Sequence, residues 1–315
     1  MSIIQNDGPL TVNSNTFTNN AAYNDGGAIE NLKNTADLVA TDNNFVSNTA
    51  YWGGAIYNDV SGTANIQFNR IVGNSAVSTG KAIYNAATIF SVSNNWWGSN
   101  NGPQGDVVGT IVSSWVILKL SASPTSIGNN GLSTITADLR YNNQQLPSGG
   151  SLPDGILVGF TTNLGTISQA YTNNGVATST LISGKTAGLA SIYASLDNQI
   201  LNTTVTVKDT IPPKVLKTSP TNKKTGVSKT STIYIKFSEN IKSSTYYNNI
   251  KVKNLTTGKY VSIHKSISGT DLKIKTSSTR RGHNWYEIII PKAAIKDYAG
   301  NKLAATYTFK FKTKS

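Results

Sequence analysis

The chain has no cysteine, two histidines and a single methionine in 315 residues. Without cysteine there is no disulfide framework, no thiolate metal centre and no thiol nucleophile. His264 and His283 are then the whole supply of imidazole chemistry, and both lie in the lysine-rich last third, where carboxylates to pair with are few. Charge is sparse and one-sided: 14% of residues are charged, and 28 Lys and Arg against 15 Asp and Glu leave a net +13. No run approaches the roughly 18–20 apolar residues needed to cross a bilayer. The longest apolar runs, Trp115-Val116-Ile117-Leu118 and Ile288-Ile289-Ile290, have strand length. Residues 1–8 lack the basic start and apolar stretch of a secretory signal, so the chain reads either as cytosolic or as the mature or truncated part of something longer. What is present argues for a folded, mostly β protein of two or three domains. Aromatics reach 9%, and Gly and Asn punctuate short β-branched runs.

Self-alignment finds Gly26-Gly27-Ala28-Ile29-Glu30-Asn31, Gly53-Gly54-Ala55-Ile56-Tyr57-Asn58 and Gly80-Lys81-Ala82-Ile83-Tyr84-Asn85, spaced 27 and 27 residues apart. Before each stands a second motif, beginning at Phe17, Phe45 and Ile71. A fixed period of this length means stacked supersecondary units. The apolar residues do not recur at helical spacing, so short strands and tight turns are expected, as in a right-handed parallel β-helix. Ile29, Ile56 and Ile83 are expected in one interior column, and Asn31, Asn58 and Asn85 in a hydrogen-bonded ladder. Lys81 replaces the second glycine, so the third turn need not match the other two. The repeats also favour the longer protein over the cytosolic reading, with further coils and an export signal expected upstream.

These repeats resemble those of polymorphic outer-membrane proteins and of adhesin-like surface proteins of methanogenic archaea, and Asn94-Asn95-Trp96-Trp97-Gly98 resembles the segment that closes such β-helices in the archaeal group. From Leu118 onward, alternation with turns every 8–12 residues gives roughly seven strands in about 90 residues. Gly165-Thr166-Ile167, Asn174-Gly175-Val176-Ala177 and Ala187-Gly188-Leu189-Ala190 resemble the Ig-like repeats of invasin and intimin. Pro212-Pro213 cannot pair in a ladder and marks a boundary. Downstream, Ser219-Pro220-Thr221 and Asp297-Tyr298-Ala299-Gly300-Asn301 resemble the SbsA-type Ig-like module of S-layer proteins. The expectation is an all-β chain: a short parallel β-helix over residues 1–117, then two Ig-like β-sandwich domains over 118–207 and 208–315. The resemblance implies an extracellular protein of the cell surface or cell wall.

Charge separates these segments. Residues 1–117 hold 3 basic and 7 acidic side chains, residues 118–207 hold 3 of each, and residues 208–315 hold 22 and 5. The last segment alone is therefore +17, since 22 minus 5 is 17. Its lysines alternate with apolar residues, which in strands gathers them on the solvent face. Lys236, Lys251, Lys253, Lys273, Lys275, Lys310 and Lys312, with Arg280 and Arg281 in an adjoining loop, are candidates for an anionic partner such as a wall polymer or membrane surface. They serve equally to keep strand edges from pairing with other chains. Nucleic acid fits poorly, because no basic stripe with interleaved aromatic platforms is present.

Parallel β-helices often carry polysaccharide lyases and hydrolases, which need carboxylates on neighbouring coils. Advancing by 27 takes Asp25 to Trp52, Glu30 to Tyr57 and Asp37 to Ala64, so no carboxylate stacks on another, although Asp25 and Glu30 could approach from adjacent columns. No catalytic residue, metal ligand or cofactor is assigned. Among Tyr51, Trp52, Tyr57, Tyr84, Trp96 and Trp97, the residues Trp52, Tyr57 and Tyr84 are candidates for stacking on wall, host or neighbour-cell glycans, and Trp96-Trp97 for plugging the β-helix core. Asn202 and Asn254 are glycosylation acceptors if the protein is exported. The expected function is a non-enzymatic surface adhesin or envelope protein, with the β-helix as recognition surface or stalk, the first Ig-like domain as spacer and the basic domain nearest the wall. The competing expectations are a β-helix carbohydrate-active enzyme with accessory Ig-like domains and a self-assembling S-layer component.

Overall fold

The computed structural model describes residues 2–32, 36–59 and 61–315. The chain divides into two compact units, Met1–Val207 and Lys208–Ser315. Regular structure among the described residues is β throughout, apart from one 3-10 turn at Tyr247–Asn249.

The first unit opens with a β-solenoid of about four coils. Its strands Ile4–Asn6, Ile29–Asn31, Ile56–Asn58 and Ile83–Asn85 form one parallel sheet that Val107–Val108 extends, and Pro9–Asn13, Asp37–Thr41, Thr63–Gln67 and Phe90–Ser93 form a second. Ile4, Ile29, Ile56 and Ile83 are in register, and the last three are wholly buried. The motif beginning at Phe17, Phe45 and Ile71 forms a third parallel sheet, with the two phenyl rings stacked at 5.0 Å. In the second sheet the successive intervals are 28, 26 and 26 residues, so Asp37 pairs with Thr63 rather than Ala64.

Burying asparagines in a solenoid requires that each amide find a partner on the next coil. Asn6 Nδ2 donates to Asn31 Oδ1 at 2.6 Å, Asn31 Nδ2 to Asn58 Oδ1 at 2.6 Å, and Asn58 Nδ2 to Asn85 Oδ1 at 2.7 Å. Two further ladders run beside it, through Asn43, Asn69 and Asn95 and through Asn20, Asn48 and Asn74. The turn before each isoleucine is built on Gly26, Gly53 and Gly80, with φ of 50°, 60° and 66°, a region that side chains disfavour. The third turn therefore keeps the conformation of the others despite Lys81. The glycines at 27 and 54 answer a different demand. A Cβ on Gly27 would lie 2.2 Å from the carbonyl oxygen of Gly54, and one on Gly54 would lie 2.2 Å from that of Lys81. Lys81, at the matching position of the third copy, is exposed.

The solenoid runs directly into a sandwich of two sheets. One holds Val116–Ser123, Leu132–Asn142 and Val176–Ile182; the other holds Ser126–Gly128, Leu157–Thr162, Ala170–Tyr171, Gly188–Leu196 and Gln199–Lys208. The two tryptophans expected to plug the solenoid divide the task. Trp97 packs in the solenoid core, whereas Trp96, wholly buried, packs in the sandwich core beside Val116 and Leu118. Adjacent residues of an extended segment point to opposite sides, so one dipeptide serves two cores. Trp96 Nε1 donates to Asp197 Oδ2 at 2.7 Å, and Arg70 makes a two-pronged ion pair with the same carboxylate.

The second unit is a separate sandwich. Val215–Ser219, Ile233–Phe237, Asp271–Thr276 and Ile263–Ser268 form one sheet; Tyr260–Val261, Lys251–Asn254, Trp285–Ile290 and Tyr307–Lys312 form the other. Ile233, Ile235 and Phe237 face Val252, Ile288 and Phe309 across its core. Asp297 closes the turn of the Asp-x-x-Gly-Asn segment, its Oδ1 accepting from the amides of Gly300 at 2.6 Å and Asn301 at 2.8 Å.

Candidate binding surfaces

The solenoid carries an open aromatic groove. Thr49–Trp52 lies parallel to Ser75–Thr79, and successive coils there present Tyr23, Tyr51 with Trp52, and Val77. Tyr23 and Val77 are 89% and 79% exposed. Tyr51 and Trp52 meet edge to face at 4.5 Å, and with Tyr23, Asn24 and Thr49 they line a groove of about 550 Å³. Trp52 is thus placed where a planar face is available. Tyr57 and Tyr84 are not part of this groove; they form a separate half-buried stacked pair, 5.4 Å apart and 5° from parallel. Tyr23 and Val77 stand six residues after Phe17 and Ile71, as Tyr51 does after Phe45, so the repeat register itself held the signal for this column.

Acidic groups adjoin this region. Asp25 bridges to Trp52, and its Oδ1 is buried without a hydrogen-bond partner. Burial, reinforced by the negative charges of Glu30 and Asp59, pushes the Asp25 carboxyl above the usual carboxylate range. Burial and the Asp59 and Asp25 carboxylates push the Tyr57 phenol up to about 12. Glu30 is engaged elsewhere, accepting from Ser2 Oγ at 3.0 Å and Gln5 Nε2 at 3.4 Å.

In the second unit the lysines expected on one solvent face occupy two. Lys236, Lys273 and Lys275 project from one sheet, where Lys236 is paired across with Asp271 and Lys273 with Tyr234. Lys251, Lys253, Lys310 and Lys312 project from the other, where Glu287 lies between Lys253 and Lys310. The two sheets cover opposite sides of one core, so alternation within each strand cannot bring the two sets together. Several ammonium groups lie over aromatic rings: Lys251 over Tyr260 at 4.8 Å, Lys273 over Tyr234 at 5.7 Å and Lys310 over Trp285 at 5.5 Å.

Arg280 is not part of a solvated loop. It is 3% exposed, whereas Arg281 beside it is exposed. Asn254 is also corrected as a glycosylation acceptor: it is 5% exposed and its Nδ2 donates to the Tyr286 hydroxyl at 3.2 Å. Asn202 is exposed on the strand Gln199–Lys208. A further cluster gathers Asp209, Glu239 and Asp297, whose carboxylate oxygens lie within 4.8 Å of one another. Burial and the Asp297 and Asp209 charges raise the Glu239 carboxyl above its usual range.

Two segments of the chain match known families. Residues 209–313 match the bacterial Ig-like domain family, and residues 16–31 match the Chlamydia polymorphic membrane protein repeat. No curated protein is significantly similar to the chain. Among solved structures, the adhesin InvE of Yersinia pseudotuberculosis is 17% identical with a TM-score of 0.34, over 62% of this chain and 58% of that one. A C-terminal intimin fragment, solved in complex with the intimin-binding domain of its translocated receptor, is 15% identical with a TM-score of 0.27, over 64% of each chain. The titin I-band fragment I67–I69 is 11% identical with a TM-score of 0.31, over 63% of this chain and 65% of that one. The chain spans about three fifths of the length of the InvE and intimin structures. No helix of the described residues is long and apolar enough to cross a membrane.

Proposed function

We propose that the protein is an adhesin-like component of a cell surface or envelope that acts by binding and not by turnover. The observation that carries this reading is the groove of Tyr23, Tyr51 and Trp52 on the solenoid. Aromatic faces bury the apolar faces of sugar rings, and the flanking Asn24 and Thr49 offer the donors and acceptors that ring hydroxyls need. The solenoid is thereby the recognition surface and its ligand a glycan. The family matches at residues 16–31 and 209–313 support a surface or envelope setting. The lysine faces of the second unit suit a polyanion of that setting, attracted by the field of a +17 segment.

The test is a glycan array probed with the full chain and with Tyr51→Ala, Trp52→Ala and their double variant. Loss of a stacking ring should weaken binding by about tenfold or more, with circular dichroism unchanged. Binding that survives the double variant overturns the assignment of the groove. A second reading, a carbohydrate-active enzyme, draws on the raised carboxyl of Asp25 beside Trp52. Release of new reducing ends from an anionic polysaccharide, abolished by Asp25→Asn, would replace binding with catalysis.

A further inference from the structure

A buried guanidinium is costly unless a negative charge compensates it. Arg280 breaks that rule among the described residues of its unit. Its Nη2 donates to the carbonyl oxygens of Ser228 at 3.0 Å and Ser231 at 2.7 Å and to Ser231 Oγ at 2.9 Å; its Nη1 reaches Thr276 Oγ1 at 3.5 Å. All four acceptors are neutral, the guanidinium lies over the Phe311 ring at 5.3 Å, and Nε has no hydrogen-bond partner. Burial draws its pKa downward, as expected of a cation without a counterion.

Arg280 also lines a cavity of about 250 Å³ at one end of this sandwich. The turn after Lys251–Asn254 contributes Thr257 and Lys259, and the segment between Asp271–Thr276 and Trp285–Ile290 contributes Ser278, Thr279 and Arg281. The charged side chains that line it are all basic, Thr257, Ser278 and Thr279 add hydroxyls, and no carboxylate lines the cavity. The walls are held independently of any ligand. Asn254 Oδ1 accepts from the amides of Thr256 and Thr257, and the Tyr286 hydroxyl accepts from the Arg281 amide at 2.9 Å.

We propose that this cavity binds a tetrahedral oxyanion, a phosphate or sulfate ester carried on an envelope polymer. Lys259, Arg281 and the residues Thr257, Ser278 and Thr279 offer more donors than the two oxygens of a carboxylate accept, and the forked guanidinium of Arg281 suits a phosphoryl or sulfuryl group. The bound anion supplies the charge that Arg280 lacks. This inference rests on the reading of the second unit as the part that meets an anionic partner, and it names the chemical group and the place.

The experiment titrates the full chain with inorganic phosphate, inorganic sulfate, acetate and chloride at equal ionic strength, followed by calorimetry. Phosphate and sulfate should bind where acetate and chloride do not, and Lys259→Ala with Arg281→Ala should weaken binding by about tenfold or more, because each removes one charge-assisted contact. Both are exposed, so the variant should keep its fold. Arg280→Lys, which retains the charge but not the fork, should retain measurable phosphate binding if it folds. A second arm compares a phosphate-substituted, a sulfated and a carboxylate-only polysaccharide; the first two should bind in a manner that depends on Lys259 and Arg281. Equal responses to all four salts, or phosphate binding unaltered in the double variant, overturns the proposal. If, in that case, replacing Lys236, Lys273 and Lys275 with Ala still weakens polymer binding, the cavity alone is wrong. If inorganic phosphate binds through the cavity but no polymer does, the site stands as one for a free anion and its attachment to the envelope falls.

Discussion

Two glycines in the repeat do different work. Gly53 holds a left-handed turn, whereas Gly54 sits where a Cβ would come 2.2 Å from the Lys81 carbonyl oxygen and 2.4 Å from that of Ser75. Both obstacles are backbone, so neither can rotate away. Gly54→Ala should therefore destabilise the first unit by about 3 kcal/mol or more, the range of steric and strain effects in packed sites. Lys81→Gly, at the matching position of the third copy, should cost less than about 1 kcal/mol. Urea denaturation of the two variants checks this, and equal losses would show that the stacking contact is not what selects glycine. The repeat was legible from residue identity alone because backbone sterics leave few alternatives at such positions. Tyr23 and Val77 share the register of Tyr51, six residues after Phe17, Phe45 and Ile71, so their column was legible; its change from Tyr to Val was not, since an exposed position obeys no packing constraint.

At the scale of elements, ladders and turns decide what a motif means. The ladder through Asn31, Asn58 and Asn85 followed from the 27-residue spacing, and it extends back to Asn6, whose coil carries no Gly-Gly signature. The lysine alternation placed each side chain outward correctly within its strand. It could not say which sheet a strand joins, and so Lys236 and Lys253 ended on opposite sides of the sandwich. Arg280 was misread for a related reason: a basic residue in a loop reads as solvated until another loop, here the one carrying Ser228 and Ser231, covers it. The Asp-x-x-Gly-Asn turn brings Asp297 next to Asp209 and Glu239. With its pKa raised in the folded state, Glu239 holds its proton more tightly folded than unfolded. Stability of the second unit should then fall as pH rises from the ordinary glutamate pKa of about 4.3 through the raised folded value. Glu239→Gln should abolish that fall, giving a higher melting temperature than the parent at pH 7 and converging with it in acid. A variant less stable at pH 7 would show that the carboxylate is stabilising there.

For the molecule as a whole, the sequence shows three segments of different texture and the structure two compact units. Composition and periodicity change sharply near residue 117, which is why a boundary is expected there. Yet the side chain of Trp96, from the solenoid side, lies in the sandwich core, and Arg70 reaches Asp197. Contacts between residues about 100 or more apart leave no mark in local pattern. A fragment ending at residue 117 should expose Trp96, with red-shifted tryptophan emission and a lower melting temperature than residues 1–207. Residues 208–315, which own a separate core, should fold alone with a cooperative transition. Identical emission and melting in the 1–117 and 1–207 fragments would contradict the first expectation.

The seam around Trp96 also has a mechanical meaning. A single covalent strand between two bodies acts as a hinge, which turns freely and cannot resist bending. Here the peptide path through Trp115 and Val116 is accompanied by a second, lateral attachment made of Trp96, Arg70 and Asp197. Two attachments at separate points resist torque. A lateral pull on the aromatic groove is then transmitted through the sandwich as through a lever arm, and the load at the joint divides between the peptide chain and the contacts of Trp96, Arg70 and Asp197.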